Sequence, residues 1–406
     1  MKMLMLRKIS LLIACVLGGL IANPQEVRRI YTRLTTDADV LNGAERIDQY
    51  LPMIKGKSVG IVANYTAMLG ETHLVDTLLS LGVKIKKVYC PEHGFRGEGD
   101  AGENIKNSID KKTKIPVVSL YGKKKKPSPE DLKGIDVVLF DIQDVGLRFY
   151  TYISTMTYVM EACAEQGIPM IVLDRPNPNG YFVDGPILEP KYKSFIGMHP
   201  VPMVHGMTIA EYAQMVNGEG WLANGVKVAL TCIPVENYKH SDMYQLPIKP
   251  SPNLPNMAAV YLYTSLGFFE GTCISVGRGT DKPFQIIGHP QIADTSFSFI
   301  PESRPGAKDP PFKGQNCYGY DLSTFSVMFL KNMRKIYLFW VLEFYKNFED
   351  KENFFNTNFN YLSGNSSLKK MIIDGKSEEE IRKTWIDGLN QFMNVRAKYL
   401  LYPDFE

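Results

Sequence analysis

A glutamate, a histidine and an arginine fall within five residues in Pro91-Glu92-His93-Gly94-Phe95-Arg96-Gly97. A carboxylic acid, an imidazole and a guanidinium this close together can move a proton, grip an anion or pair as surface ions. The glycines make the segment a tight exposed loop, and it follows a strand-like run, Val83 to Tyr89. Further polar groups stand where other apolar runs end: Asn64, then Asp141, Gln143 and Asp144, then Asp174 with Arg175 and Asn177. A lone strand-end aspartate usually caps a helix. Polar groups at the ends of four strands on one sheet edge instead mark a ligand crevice. A third stretch, Leu266 to Phe284, sets Glu270 between phenylalanines and glycines and Arg278 between two glycines. That spacing brings backbone and guanidinium close to a ligand.

Several chemistries lack their residues. The first strand ends in Val62-Ala63-Asn64-Tyr65-Thr66-Ala67, without the glycines of a dinucleotide site, and Gly277-Arg278-Gly279-Thr280 lacks the Walker lysine. There is no G-x-S-x-G elbow. Glu92, His93 and Asp141 do not have the spacing of a metal site, so no metal and no cofactor is expected. Carboxylate chemistry on a sugar remains. Glycoside cleavage needs one protonated carboxyl group at the leaving oxygen, and a second group or the substrate's own acetamido group to assist. Tyr89, Cys90 and Phe95 are apolar neighbours that would raise the pKa of Glu92 by desolvation.

The elements that must position these groups alternate. Strands are expected at Ser58–Ala63, Val83–Tyr89, Pro116–Leu120, Asp136–Phe140 and Met170–Leu173, with helices at His73–Leu81, Thr151–Gln166 and Thr208–Asn217. Runs that are apolar throughout predict strands buried on both faces, hence a mainly parallel sheet. Thr208 with Glu211 three residues on predicts a capping box. A further strand is expected at Val226–Ile233. Prolines at 247, 250, 252 and 255 follow the domain boundary, placed at Val235. Beyond it we expect a helix at Asn256–Leu266, short strands near Gln285 and Phe297, one aromatic-rich helix at Leu322–Phe348 and one at Glu378–Tyr399. The closing Tyr399-Leu400-Leu401-Tyr402-Pro403 is expected to be packed. The reading is an α/β chain: a Rossmann-like, mainly parallel domain over residues 45–235 and a smaller α+β domain over 236–406.

The chain has 406 residues, too many for one ordinary core, and its 45% hydrophobic and 22% charged residues suit a folded globular protein. The net charge of +3 comes from Lys2, Arg7 and Lys8, so the rest is neutral and offers no footprint for nucleic acid. Those cations precede the apolar run Ile9–Ala22, the pattern of a secretory signal peptide over residues 1–22, with a lead-in over 23–44. The run is short for a membrane span. Leu12-Ile13-Ala14-Cys15 also resembles a lipobox, which would lipid-anchor Cys15, but apolar residues continue past it and we read plain export to the periplasm or the medium. The widely spaced cysteines signal neither a zinc site nor a disulfide framework.

P-E-H-G-F-R-G, D-I-Q-D-V-G-x-R-F-Y-T-Y, D-R-P-N-P, G-F-F-E-G-T-x-x-S-V-G-R-G-T-D-x-P-F and the final Y-L-L-Y-P resemble the bacterial exo-β-N-acetylmuramidase family over about Gly56 to Pro403. The resemblance implies a Rossmann-like domain joined to a smaller one with the active site between them. It also implies removal of terminal non-reducing N-acetylmuramic acid from peptidoglycan fragments. Glu92 is then the favoured acid. Asp141, Asp144, Glu270 and Asp281 are candidates for the second group, with Asp141 and Glu270 favoured. Asn64, His93, Arg96, Gln143, Asp144, Arg148, Tyr152, Asn177, Arg278, Asp281 and Lys282 are expected to contact substrate. The lactyl carboxylate calls for an arginine, with Arg278 first choice. A non-catalytic peptidoglycan-fragment binder and a carbohydrate deacetylase are the alternatives.

Overall fold

The computed structural model describes residues 40–96, 107–292, 296–325, 330 and 333–405. The signal-like segment and Cys15 lie outside these residues, as does Gly97. After a 3-10 turn at Gly43–Glu45 come α1 (Ile47–Ile54), β1 (Ser58–Ala63), a small hairpin of β2 (Met68–Leu69) and β3 (Thr72–His73), α2 (Leu74–Ser80) and β4 (Lys84–Cys90). Then follow β5 (Ser108–Ile109), β6 (Pro116–Ser119), α3 (Pro129–Leu132), β7 (Val137–Asp141), α4 (Tyr152–Glu165), β8 (Met170–Leu173), α5 (Ile209–Gly218) and β9 (Leu230–Ile233). The sheet order is β5-β6-β4-β1-β7-β8-β9, parallel throughout except for the edge strand β5. The chain starts at the centre, builds outwards through β4 and β6, then returns to the other side of β1 with β7. The switch point therefore falls at β1, where a doubly wound sheet opens its crevice.

Alternate residues of each strand feed two cores. Val59, Ile61, Val88, Val137, Leu139 and Ile171 pack with Leu74, Val75 and Leu78 of α2 on one face. Val62, Tyr89, Val138, Phe140 and Val172 pack with Met156 and Met160 of α4 and Ala210 and Ala213 of α5 on the other. Helix ends follow the text closely. Gly82 and Gly167 are left-handed beyond α2 and α4, and Thr208 and Glu211 form the capping box of α5.

The smaller domain begins with α6 (Met257–Leu266), capped by Asn256. It adds an antiparallel sheet ordered β10 (Ile286–His289), β12 (Cys317–Asp321), β11 (Ser298–Phe299), then α7 (Phe339–Asn347), α8 (Phe359–Ser363), α9 (Ser367–Ile373), α10 (Glu378–Lys383) and α11 (Ile386–Arg396). Two long helices were expected here and neither forms. Arg334 is left-handed, and the next amides leave the helical pattern. Ile336 N donates to Asp184 at 2.7 Å and Tyr337 N to Ser265 at 2.9 Å, so the first is interrupted before α7. The second breaks at Thr384–Trp385, where the Thr384 hydroxyl bonds back to Ile381 O at 2.6 Å.

The closing residues return to the parallel sheet. Tyr402 is buried, its hydroxyl donating to Asp174 and accepting from Val235 N, and Pro403 O accepts from His240 N. The five described cysteines are free; Cys90, Cys163 and Cys317 are buried. Among the described residues no helix is long and apolar enough to cross a membrane.

Candidate active site

Glu92 lies just past the C-terminal end of β4, beside the switch point, in a loop whose next two residues are both left-handed (His93 φ 69°, Gly94 φ 76°). Its neighbours hold that bend. His93 Nε2 meets Ser251 Oγ at 3.4 Å, and Phe95 is buried edge-on against His73 at 4.9 Å. Arg96 lies over Phe95 and forks onto Asp110 at 3.0 and 3.2 Å. Arg96 is therefore an anchor of the loop. Fixed this way, the half-buried Glu92 carboxylate accepts from Thr151 Oγ1 at 3.3 Å and pairs with the Tyr121 hydroxyl. Thr151 is free to do so because, although it stands at the N-cap of α4, its side chain makes no capping bond. Burial first, and then the Glu92 charge, raise the Tyr121 pKa, so the phenol stays protonated as a donor.

The glycine-rich loop supplies the other wall. Arg278 Nη2 donates to Glu270 Oε1 at 2.6 Å, and its guanidinium lies 5.0 Å over Phe284. Burial opposes the Arg278 charge, but Glu270, Tyr263 and Glu92 outweigh it and its pKa rises. Both flanking glycines are left-handed, and a Cβ would meet Ile286 at 2.4 Å from Gly277 and Pro310 at 2.5 Å from Gly279. Tyr263 of α6 is electrostatically coupled to Glu92, Glu270 and Arg278 together. The two loops thus share one crevice. Its floor is the end of β1 and the start of α4, where Tyr152 is coupled to Asn64, Tyr65 and Glu92. The proline-rich turn is tied to the same place: Tyr150 donates to Pro250 O at 2.7 Å.

Among the residues expected to form the site, the structure brings together Glu92, Glu270, Arg278, Tyr152 and Asn64, with His93 supporting the loop. It sends others elsewhere. Asp141 is fully buried and both its oxygens are taken by Arg175, at 2.5 and 3.0 Å. Gln143 spends its amide on Asp144 O and Pro176 O, both at 2.8 Å. Asn177 bridges Met207 O and Asn179 N, filling the space that Gly146 leaves by lacking a Cβ. Arg148 is fully buried and donates to Pro186 O, Val201 O and Leu362 O at 2.7, 2.8 and 2.9 Å. Asp281 is exposed and paired with Arg304, and Lys282 reaches Asp321 at 2.5 Å. Sequence reasoning missed Tyr121, Thr151 and Tyr263. Tyr121 stands just past the end of β6, so the strand-end rule applied to it too. Among the described residues no three His, Cys, Asp or Glu side chains are grouped to hold a metal ion.

Asp144 does different work. It is buried beside His205, whose Nδ1 accepts from Met207 N at 3.2 Å, so the Nε2 proton faces Asp144 Oδ2 at 3.9 Å. Burial pushes Asp144 up to about 7 and His205 down to about 3. Between about pH 4 and 6.5 the native pair holds one proton on Asp144, while in the unfolded chain the histidine holds it. Equal proton counts give this pair no pH slope. Asp144→Asn removes the compensation: the unfolded state then binds one proton more, so stability falls as pH is lowered through that window. We expect the variant to lose about 1 to 2 kcal/mol relative to wild type between pH 6.5 and 5, read from urea midpoints; a constant difference would refute the opposed shifts that burial imposes on the two groups.

A doubly wound sheet with two glutamates, an arginine and tyrosines gathered at its switch point suits carboxylate chemistry on a hydroxyl-rich ligand such as a sugar. The chain belongs to the exo-β-N-acetylmuramidase NamZ family: the N-terminal family model matches residues 59–258 and the C-terminal model residues 261–402. It is 40% identical over 386 residues to the peptidoglycan β-N-acetylmuramidase NamZ of Bacillus subtilis (strain 168), covering 88% of this chain and 89% of that protein. Two DUF1343 family proteins of Bacteroides fragilis NCTC 9343 with crystal structures share the fold. One has a TM-score of 0.85 at 46% identity, covering 90% of this chain and all of the other; the second has 0.76 at 28%, covering 89% and 99%.

Proposed function

We propose that this protein is an exo-acting β-N-acetylmuramidase in which Glu92 protonates the glycosidic oxygen as terminal N-acetylmuramic acid leaves a peptidoglycan fragment. The carrying observation is the placement of Glu92: fixed by a double left-handed turn at the switch-point crevice, with Thr151 and Tyr121 orienting its carboxyl group and Arg278–Glu270 on the opposite loop. Arg278 binds the lactyl carboxylate through its planar fork. Glu270, which orients that guanidinium, is the second carboxylate of the crevice. Incubation with a chromogenic β-N-acetylmuramide and the matching glucosaminide tests the activity, with release from the muramide expected. Release from neither would leave a binding protein.

Arg278→Ala should raise KM for the muramide by about 10- to 100-fold, the worth of a charged hydrogen-bond pair. The preference over the glucosaminide, which lacks the lactyl group, should shrink in step. An unchanged preference would move the carboxylate elsewhere. The basic and then apolar opening of the chain supports export and a role in cell-wall turnover; the mass of the mature N-terminus checks the cleavage after Ala22, and a lipid adduct at Cys15 would replace plain export with anchoring.

A further inference from the structure

The floor of the crevice holds two hydrogen-bond donors with nothing to bond. The Tyr65 hydroxyl is buried and finds no acceptor, and neither does Asn64 Nδ2. The amide orientation of Asn64 is fixed by its other end: Oδ1 accepts from Thr66 N at 2.9 Å and from Thr66 Oγ1 at 2.6 Å, so the orphan is the NH2 group. Asn64 is fully buried. Buried donors left without partners cost stability and are rare in native structures. Both lie at the end of β1, the strand at which the sheet changes direction, and both are coupled to Tyr152, which is itself coupled to Glu92. The Tyr152 hydroxyl beside them donates to Pro250 O at 3.5 Å, the carbonyl that Tyr150 also uses. Burial raises the Tyr65 pKa, so its proton is in place for donation at neutral pH.

Two neutral donors call for a neutral acceptor. The charged end of the substrate is already matched by Arg278 on the opposite loop. The remaining strong acceptor of an N-acetylated sugar is the amide carbonyl at C2, next to the bond being broken. We infer that Tyr65 Oη and Asn64 Nδ2 bind the acetamido carbonyl oxygen of the sugar whose linkage Glu92 protonates, making Tyr65 a specificity-determining residue. This rests on the reading of Glu92 as the acid. The acetamido group is then held while the leaving oxygen is protonated, and an incoming sugar without it leaves both donors unpaired.

Tyr65→Phe tests the inference because a merely structural hydroxyl without a partner would predict the opposite sign. If the hydroxyl serves substrate, kcat/KM on an aryl β-N-acetylmuramide falls by about 10- to 100-fold, while the melting temperature stays level or rises because a buried orphan has gone. On the aryl muramide analogue with a 2-hydroxyl in place of the acetamido group, Tyr65→Phe and wild type should be equal. Unchanged activity on the acetamido substrate, equal losses on both substrates, or a drop of several degrees in melting temperature would each overturn it. Glu92→Gln run alongside separates the two readings. Retained rate on a muramyl disaccharide removes Glu92 from its role, whereas a Tyr65→Phe loss confined to the acetamido substrate would still place that group on Tyr65.

Discussion

Glu92→Gln should lower turnover on a β-N-acetylmuramide by at least about 10²-fold, the usual contribution of a general acid. The fold should survive. Glutamine keeps the size of the side chain and an oxygen that accepts from Thr151 and Tyr121, and the bend that positions residue 92 is made by His93, Gly94 and the Arg96–Asp110 fork. What glutamine cannot do is give up a proton to the departing oxygen. The loss should be smaller for substrates whose leaving group departs without protonation. An activated aryl muramide should therefore lose less than a natural disaccharide, and that ratio is the signature of an acid. Equal losses would point to damaged binding; a variant at wild-type rate would take Glu92 out of the mechanism.

Arg148→Met should destabilise the protein by about 3 kcal/mol or more, the sum for leaving three buried acceptors without donors. Arg148 is fully buried without an acidic partner, and burial pulls its pKa down to about 9, so it is still charged at neutral pH. Three carbonyls solvate that charge: Pro186 O and Val201 O in the parallel-sheet domain and Leu362 O in α8 of the smaller one. Methionine fills most of the volume but leaves three buried carbonyls without donors, each costing about 1 kcal/mol or more. Lysine should rescue poorly, because a point charge cannot reproduce a fork that reaches two elements at once. The checks are the urea midpoint and, since the crevice needs both domains, a matching fall in the temperature at which activity is lost. A midpoint within 1 kcal/mol of wild type would deny Arg148 this role.

The contrast between these residues shows what the sequence reveals and what it hides. The strands, the switch point and the loop after β4 follow from apolar runs and glycines, all local signals. Glu92 and Arg278 were legible because glycines beside them force the backbone into the open. Asp141 and Arg148 looked equally functional, yet both are fully buried and engaged by groups inside the protein. Their partners, Arg175 and Leu362, lie 34 and 214 residues further on, and no local pattern says which way a strand-end side chain turns. Tyr121 was missed for the converse reason, since a tyrosine after an apolar run reads as core. The first long helix failed because side chains elsewhere, Asp184 and Ser265, claimed backbone amides that periodicity assigned to it, and the second broke at Thr384, whose hydroxyl bonds back to Ile381 O.

The bond from Tyr402 to Asp174 spans 228 residues of chain. During synthesis the strand β8 and most of the smaller domain are made before the residue that seals β8. The parallel-sheet domain therefore completes this contact only after its neighbour has been made, a departure from strict N-terminal-first assembly. Until Tyr402 is made, Asp174 and Val235 N stand without the phenol that joins them.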